Sequence, residues 1–349
     1  MGAYPVNIIR RKGTTADTGR SIAKWEEEFP SLDHDTYGSE GNPTGNPIGG
    51  GNDYSDVYTA GDHTVTTYDE LASALEIAKA GDVVFVPEDV HIDMSDKPEL
   101  PIPGQVTLAG GRGSGSGDGG MIFSDSLDTP GLFRTDGDFV RITGLRIRGP
   151  FDKRDRVDRT SNGIETTHFG LEIDNCEIWA FSVAATRFGI GASRGYVHHN
   201  YIHHNQRGGL GYGVSINGGT VLIEANLFDW CRHHIASSGA PGSGYEARYN
   251  VCLENANGHL FDMHGGRDRG DATDIAGDWM NVHHNTFKAV DVRSLVIRGV
   301  ASQGSRIHHN WFYSSDPENI VRASGTTHVY QNVLGESREL LPELEVAYE

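Results

Sequence analysis

Apolar positions in this chain come in short runs cut by Gly, Asn and Asp, and past the first quarter no segment keeps the 3.6-residue period of a helix. One asparagine punctuates the runs on a nearly fixed beat: Asn175, Asn200, Asn226, Asn250, Asn285, Asn310 and Asn332, spaced 25, 26, 24, 35, 25 and 22 residues apart. Val197, Ile223, Ala247, Val282, Ile307 and Val329 stand three places before it, and Ile202, Phe228, Leu253, Phe287 and Phe312 follow within three places. Self-similarity at such a period marks a stack of supersecondary units, each burying its apolar face against the next. Units made of strand-type runs and turns predict an all-β fold, a parallel β-helix. In such a rod equivalent residues of successive coils lie about 4.8 Å apart.

The N-terminal part breaks the beat. Residues 1–64 are polar and turn-rich, with Gly49-Gly50-Gly51 among them, and read as an extended N-terminal arm wrapping the solenoid. Thr66-Thr67 opens a helix expected over 66–80, with Leu71, Ala74, Leu75 and Ala78 on one face and Asp69 and Glu70 in its first turn. Gly81 ends it, and Val83–Val86 reads as the first strand. A solenoid's open end must be covered, and this helix is placed to cap it. The β-helix domain is therefore expected over 65–335, with 336–349 as a C-terminal tail.

The run from Tyr68 to Pro87 (YDELASALEIAKAGDVVFVP), followed by Ile92-Asp93 and Val106-Thr107-Leu108, resembles the N-terminal cap and first coils of pectate-lyase-like right-handed parallel β-helices. The coils at His199-Asn200, His284-Asn285 and His309-Asn310 resemble repeats of the same superfamily, so the resemblance covers about residues 65–335. It implies a right-handed solenoid. The superfamily holds lyases, hydrolases, epimerases and non-catalytic adhesins, so fold alone assigns no activity. The calcium-binding aspartates and catalytic arginine motif of pectate lyases find no counterpart here.

Composition narrows the partners. A net charge of −19 argues against nucleic acid, which needs a basic face. No run of about 18 apolar residues is present, so no membrane span is expected. No apolar stretch follows the basic residues of Met1–Lys12, so no signal peptide is read, although the expected address is extracellular. A monomer is expected. Cys176, Cys231 and Cys252 form no disulfide framework, and Cys252 occupies a core place.

Chemistry concentrates between His198 and His309, which hold 12 of the 17 histidines. His198/His199, His283/His284 and His308/His309 occupy the two places before the ladder asparagine, where other coils carry Ala or Tyr, and read as a structural stack. A second set falls in the next register. Aligning Val214, Ile235 and Leu260 as inward residues puts Gly213, His234 and His259 in one column, with Tyr212, His233 and Gly258 beside it. Arg232, Arg248, Arg267 and Arg298 lie near this wall, and a guanidinium can grip a carboxylate with two hydrogen bonds. The long gap after Asn250 holds an insert over 265–278 that projects beside His259 and His264.

Acid–base side chains and arginines on one wall of an acidic protein fit β-elimination on an anionic, uronic-acid polysaccharide. That reaction needs a neutralised C6 carboxylate, a base for the C5 proton and an acid for the leaving O4. The expected base is His234 or His259 and the expected acid Tyr212 or Tyr245, with Arg232 in the catalytic group. His233, His264, Arg248, Arg267 and Arg298 are expected to bind substrate. No cofactor is assigned from the sequence. Ca²⁺ is the ion to consider, with Asp262, Asp268 and Asp271 as candidate ligands. A transition ion on His259, Asp262 and His264 is disfavoured, because strand alternation puts His259 on the opposite face. The alternatives are a glycoside hydrolase, which needs a carboxylate pair from Asp229, Glu246, Glu254 and Asp262, and a non-catalytic carbohydrate-binding or tailspike-like rod.

Overall fold

A computed structural model of the chain describes residues 36–115, 117–323 and 325–346. The strands wind into a parallel β-helix whose three faces, among the described residues, are sheets of twelve, nine and eleven strands. Each coil gives one strand to each face. In the twelve-stranded sheet, Glu172–Asp174 pairs in parallel with Gly195–His198, then Thr220–Glu224, Gly244–Arg248 and Trp279–His283. Inward side chains stack in columns: Ile173, Val197, Ile223, Ala247, Val282 and Ile307 form one, all fully buried. Phe287 and Phe312 end another, their rings parallel within 9° and 4.8 Å apart.

The asparagine beat is a continuous amide ladder. Asn226 Nδ2 donates to the Val197 carbonyl at 2.8 Å and to Asn250 Oδ1 at 3.0 Å, while its own Oδ1 accepts from Asn200 Nδ2 and the Asn200 backbone N–H, both at 3.0 Å. The same pattern runs through Asn250, Asn285 and Asn310 to Asn332. Asn175 does not belong to it. Asp174 pairs with His198, so Cys176 takes the ladder place and its N–H donates to Asn200 Oδ1 at 2.9 Å. Asn175 instead shares the corner position with His199, Ala225, Tyr249, His284, His309 and Gln331, all at φ between 47° and 55°. A left-handed residue with a side chain costs about 1–2 kcal/mol. The ladder offsets that cost by satisfying the backbone groups that the corner turns away from the sheets.

The paired histidines are structural, as expected. In each of His198/His199, His283/His284 and His308/His309 the two Nδ1 atoms lie 2.8 Å apart, so one ring must donate and the other accept. The pairs also stack between coils, with His283 over His308 and His284 over His309 at 5.0 Å. Burial, then the neighbouring imidazoles, push His199 down to about 3 and His308 to about 2.

The cap and arm hold the first coils. Thr67 caps the helix Tyr68–Ile77, accepting from the Glu70 N–H, and Leu71, Ala74 and Leu75 are buried against the end of the rod. The described part of the arm runs back along the ladder: Gly38 N–H donates to the His309 carbonyl, Gly49 N–H to Ala225, and Gly51 N–H to Asn175 Oδ1. The C-terminal segment is less a tail than a closing flap. Glu339–Leu341 and Leu344–Val346 add antiparallel to Asn332–Leu334 and Thr327–Tyr330, covering edges that would otherwise invite another chain. Cys176, Cys231 and Cys252 are free and buried, in keeping with core places.

Two outcomes follow from the ladder. Asn250→Ala strands the Ile223 carbonyl and its Asn226 and Asn285 neighbours, at about 1–3 kcal/mol per unpaired group, which urea unfolding measures. The histidine pairs fix the sign of the pH response. The folded-state values of His199 and His308 lie below the ordinary 6.5, so the unfolded chain binds the extra protons. Stability is fully present above about pH 6.5 and is lost progressively as pH falls toward 3. A melting temperature that held constant from pH 7 to 4 would exclude this coupling.

Candidate active site

The outer face of the nine-stranded sheet carries the candidate site. Its strands Tyr212–Ile216, His233–Ser237, Phe261–Met263 and Leu295–Ile297 pair in parallel, with Val214, Ile235, Phe261 and Leu295 in one buried inward column. Ile235 pairs with Phe261 rather than Leu260, so the third coil is one residue out of the expected register. The His234 and Ile235 amides both reach the Leu260 carbonyl, a bulge that makes room for the offset. The offset sets His259 beside His233 instead of His234, so the column reads Tyr212, His233 and His259: Tyr212 stacks over His233 at 5.8 Å, and His233 over His259 at 4.2 Å.

His234 is corrected out of the site. It is fully buried, stacks on the core ring of Phe228 at 5.4 Å, and burial holds it neutral by pushing it down to about 3. Tyr245 is likewise inside the rod: it lies on the twelve-stranded sheet between Val221 and Met280, fully buried, with no hydrogen bond to its hydroxyl. Arg248 belongs to that sheet too. Its Nε meets Glu224 Oε1 at 2.6 Å and its Nη1 meets Glu246 Oε1 at 2.8 Å, so it is consumed by a buried ion-pair network. Arg267 stands on the insert, 78% exposed, against Asp274 at 3.2 Å.

Asp262 is the hub of what remains. Its carboxylate is wholly buried and takes a two-pronged grip from Arg298, Nη2 to Oδ2 at 2.7 Å and Nε to Oδ1 at 3.1 Å. His264 Nε2 lies 2.9 Å from Oδ2 and His259 Nε2 3.1 Å from Oδ1, with His233 Nε2 at 3.5 Å. Burial alone would raise this carboxyl, but the hydrogen bonds from His259 and His264 hold it well below the ordinary carboxylate range. Strand alternation misled the reading of His259: the residue precedes the strand Phe261–Met263, and its ring turns onto Asp262 from the adjoining loop.

The insert closes one side. Gly266–Arg269 forms a helical turn, and its Asp268 lies 3.4 Å from Arg298 Nη1 and 4.0 Å from His264 Nδ1. The aspartates of the insert are engaged within the protein. Asp271 is spent on the Thr273 hydroxyl and amide and on Arg269, Asp274 on Arg267, and Asp278 on the Gly242 amide and Ser302. The acidic residues of the insert are thus held separately, not in one oxygen cage. Gly239 (φ 63°) lets this region pack, because a Cβ there would collide with the His264 carbonyl.

Beside the hub runs a groove of about 420 Å³, lined by Asn162, Arg187, Tyr212, Ser215, Asn217, Ser238 and His264 among others. Tyr212 is half-buried. Burial and the Asp262 charge raise its hydroxyl above the ordinary 10, and Arg232, hydrogen-bonded to it, pulls the other way. Arg187, Asn162 and Asn217 are groove residues that the histidine-centred reading missed. Arg187 pairs with Glu165 at 2.6 Å and aligns with Ser215, so extending the register one coil toward the N-terminus would have found it. The proposed hydrolase carboxylates do not meet: Asp229 lies on the eleven-stranded sheet, Glu246 on the twelve-stranded sheet and Asp262 on the nine-stranded one, while Glu254 is exposed outside any strand.

No protein-family model matches the sequence, and no curated protein matches it. Among solved structures the chain is similar to an alginate lyase from Paenibacillus sp. str. FPU-7, with 16% sequence identity and a TM-score of 0.57, over 82% of this chain and 97% of that one. At that identity the likeness is one of fold alone and assigns no activity.

Proposed function

We propose that the protein is an extracellular polysaccharide lyase that cleaves an anionic, uronic-acid-containing polysaccharide by β-elimination in the groove of the nine-stranded sheet. The observation that carries this reading is His264, which opens into the groove while its Nε2 rests on the buried Asp262 carboxylate at 2.9 Å. A carboxylate on Nε2 holds the proton there and leaves Nδ1 as the basic atom, the arrangement a general base needs. Tyr212 lines the same groove, and its raised pKa keeps the phenol protonated, as an acid for the leaving O4 must be. Arg187 and Arg232 are the cations placed to meet a substrate carboxylate, each already engaged by one neighbour that a substrate would have to share. Arg298 serves instead to position Asp262, since both its prongs are on that carboxylate.

A panel of uronate polysaccharides read for near-ultraviolet absorbance and for reducing ends tests the reaction. Absorbance of an unsaturated uronate is expected. Reducing ends alone would mean hydrolysis, and polymer retention with neither signal would mean a binding rod. His264→Ala and Tyr212→Phe are each expected to lower kcat about a hundredfold or more. His234→Ala should leave the rate of the folded fraction nearly unchanged while lowering stability. The assignment fails if His264→Ala keeps wild-type activity.

A further inference from the structure

One contact in the hub is electrostatically unresolved. The ring of His233 is 1% exposed, and its Nδ1 faces the His259 carbonyl oxygen at 2.5 Å. That carbonyl can only accept, so the ring proton is on Nδ1 and Nε2 presents a bare lone pair. Nε2 has no hydrogen-bond partner, yet it points at Asp262 Oδ2 from 3.5 Å. A buried ring nitrogen left without a donor is costly, and a bound cation would satisfy it.

The surrounding geometry suits a metal ion. His233 Nε2, His259 Nε2 and an Asp262 oxygen all lie within 4.8 Å of one another. Ligand atoms bound at about 2.0–2.2 Å to one centre stand roughly 3.0–3.5 Å apart. The His259 Nε2–Asp262 Oδ1 separation, 3.1 Å, matches an edge of such a polyhedron, and His233 Nε2 closes the group from the Oδ2 side at 3.5 Å. A metal-binding imidazole ordinarily donates its other N–H to a carbonyl or carboxylate, as His233 does to the His259 carbonyl. Arg298 and His264 together fill Oδ2, but on Oδ1 the guanidinium uses only one of two lone pairs, so Oδ1 is the oxygen left for the ion. Imidazole nitrogens with one carboxylate select a zinc-class transition ion over calcium, which prefers an all-oxygen shell.

We infer that His233, His259 and Asp262 form a binding site for one divalent transition-metal ion at the edge of the groove, with His264 outside the ligand set. Three protein ligands leave at least one coordination position for water or a substrate oxygen. The site stands whether or not the chain is a lyase, because its test reads metal and not product.

The experiment uses the full chain, stripped with chelator, dialysed and titrated with Co²⁺ and then Zn²⁺ under calorimetry and visible spectroscopy. One Co²⁺ per chain is expected, with d–d bands that Zn²⁺ abolishes by displacement. His259→Ala, partly exposed and tolerable to the fold, is expected to weaken Co²⁺ binding about a hundredfold or more, and Asp262→Asn likewise. His264→Ala should retain stoichiometry and spectrum. Wild-type protein that takes up no stoichiometric Co²⁺, or a His259→Ala protein that binds as tightly as wild type, overturns the site. A His264→Ala protein that loses the d–d bands while circular dichroism shows it folded overturns the ligand set.

Discussion

The amide ladder from Asn200 to Asn332 is the constraint on which the rest depends. A solenoid has no single core to fix how its coils slide past one another, and a slip of one residue would turn each inward column outward. From Asn200 to Asn310 each ladder carboxamide ties its own coil to the carbonyl of the coil before and to the carboxamide of the coil after. It also sits immediately after a corner residue held at positive φ, so it fixes bend and register together. The buried aliphatic columns supply most of the favourable free energy, but they tolerate exchange among Ile, Val and Ala. The ladder tolerates little, because each member is buried and paired on both sides.

Fixed register is what gathers the hub. His233 comes from one coil, His259, Asp262 and His264 from the next, and Arg298 from the one after, yet the other four meet on the Asp262 carboxylate. The insert adds Asp268 from the side, so the polar cluster is braced by elements that cannot move independently. On the twelve-stranded sheet the analogous charges, Glu224, Glu246 and Arg248, are sealed into a structural network. The same residue types thus hold the rod on one sheet and line an open groove on another, and neighbours in space decide which.

Much of the fold was legible because repeats are local: the ladder, the capping helix and the aliphatic columns each follow from residues a few places apart. Asn175 was misread because an asparagine one place early still fits a beat that varies from coil to coil. The site was legible only in part, for a related reason. The bulge at His234 and Ile235 is a backbone event with no residue signature, and it moved the alignment of the third coil by one. That single residue set His259 beside His233 instead of His234. Tyr245 and Arg248 were misplaced because proximity in sequence to the histidine wall is not proximity in space when each coil crosses three sheets. Arg187 lay outside the histidine-rich stretch and carried no signal except its register.

Imidazole tautomers report the hub most directly. Long-range ¹H–¹⁵N correlation spectra of the histidine rings would be compared between wild type and Asp262→Asn. The register found here predicts changes confined to His233, His259 and His264, with the stacked pairs His283/His284 and His308/His309 undisturbed. Unchanged His264 signals, or a His234 signal that moves as far as theirs, would contradict it.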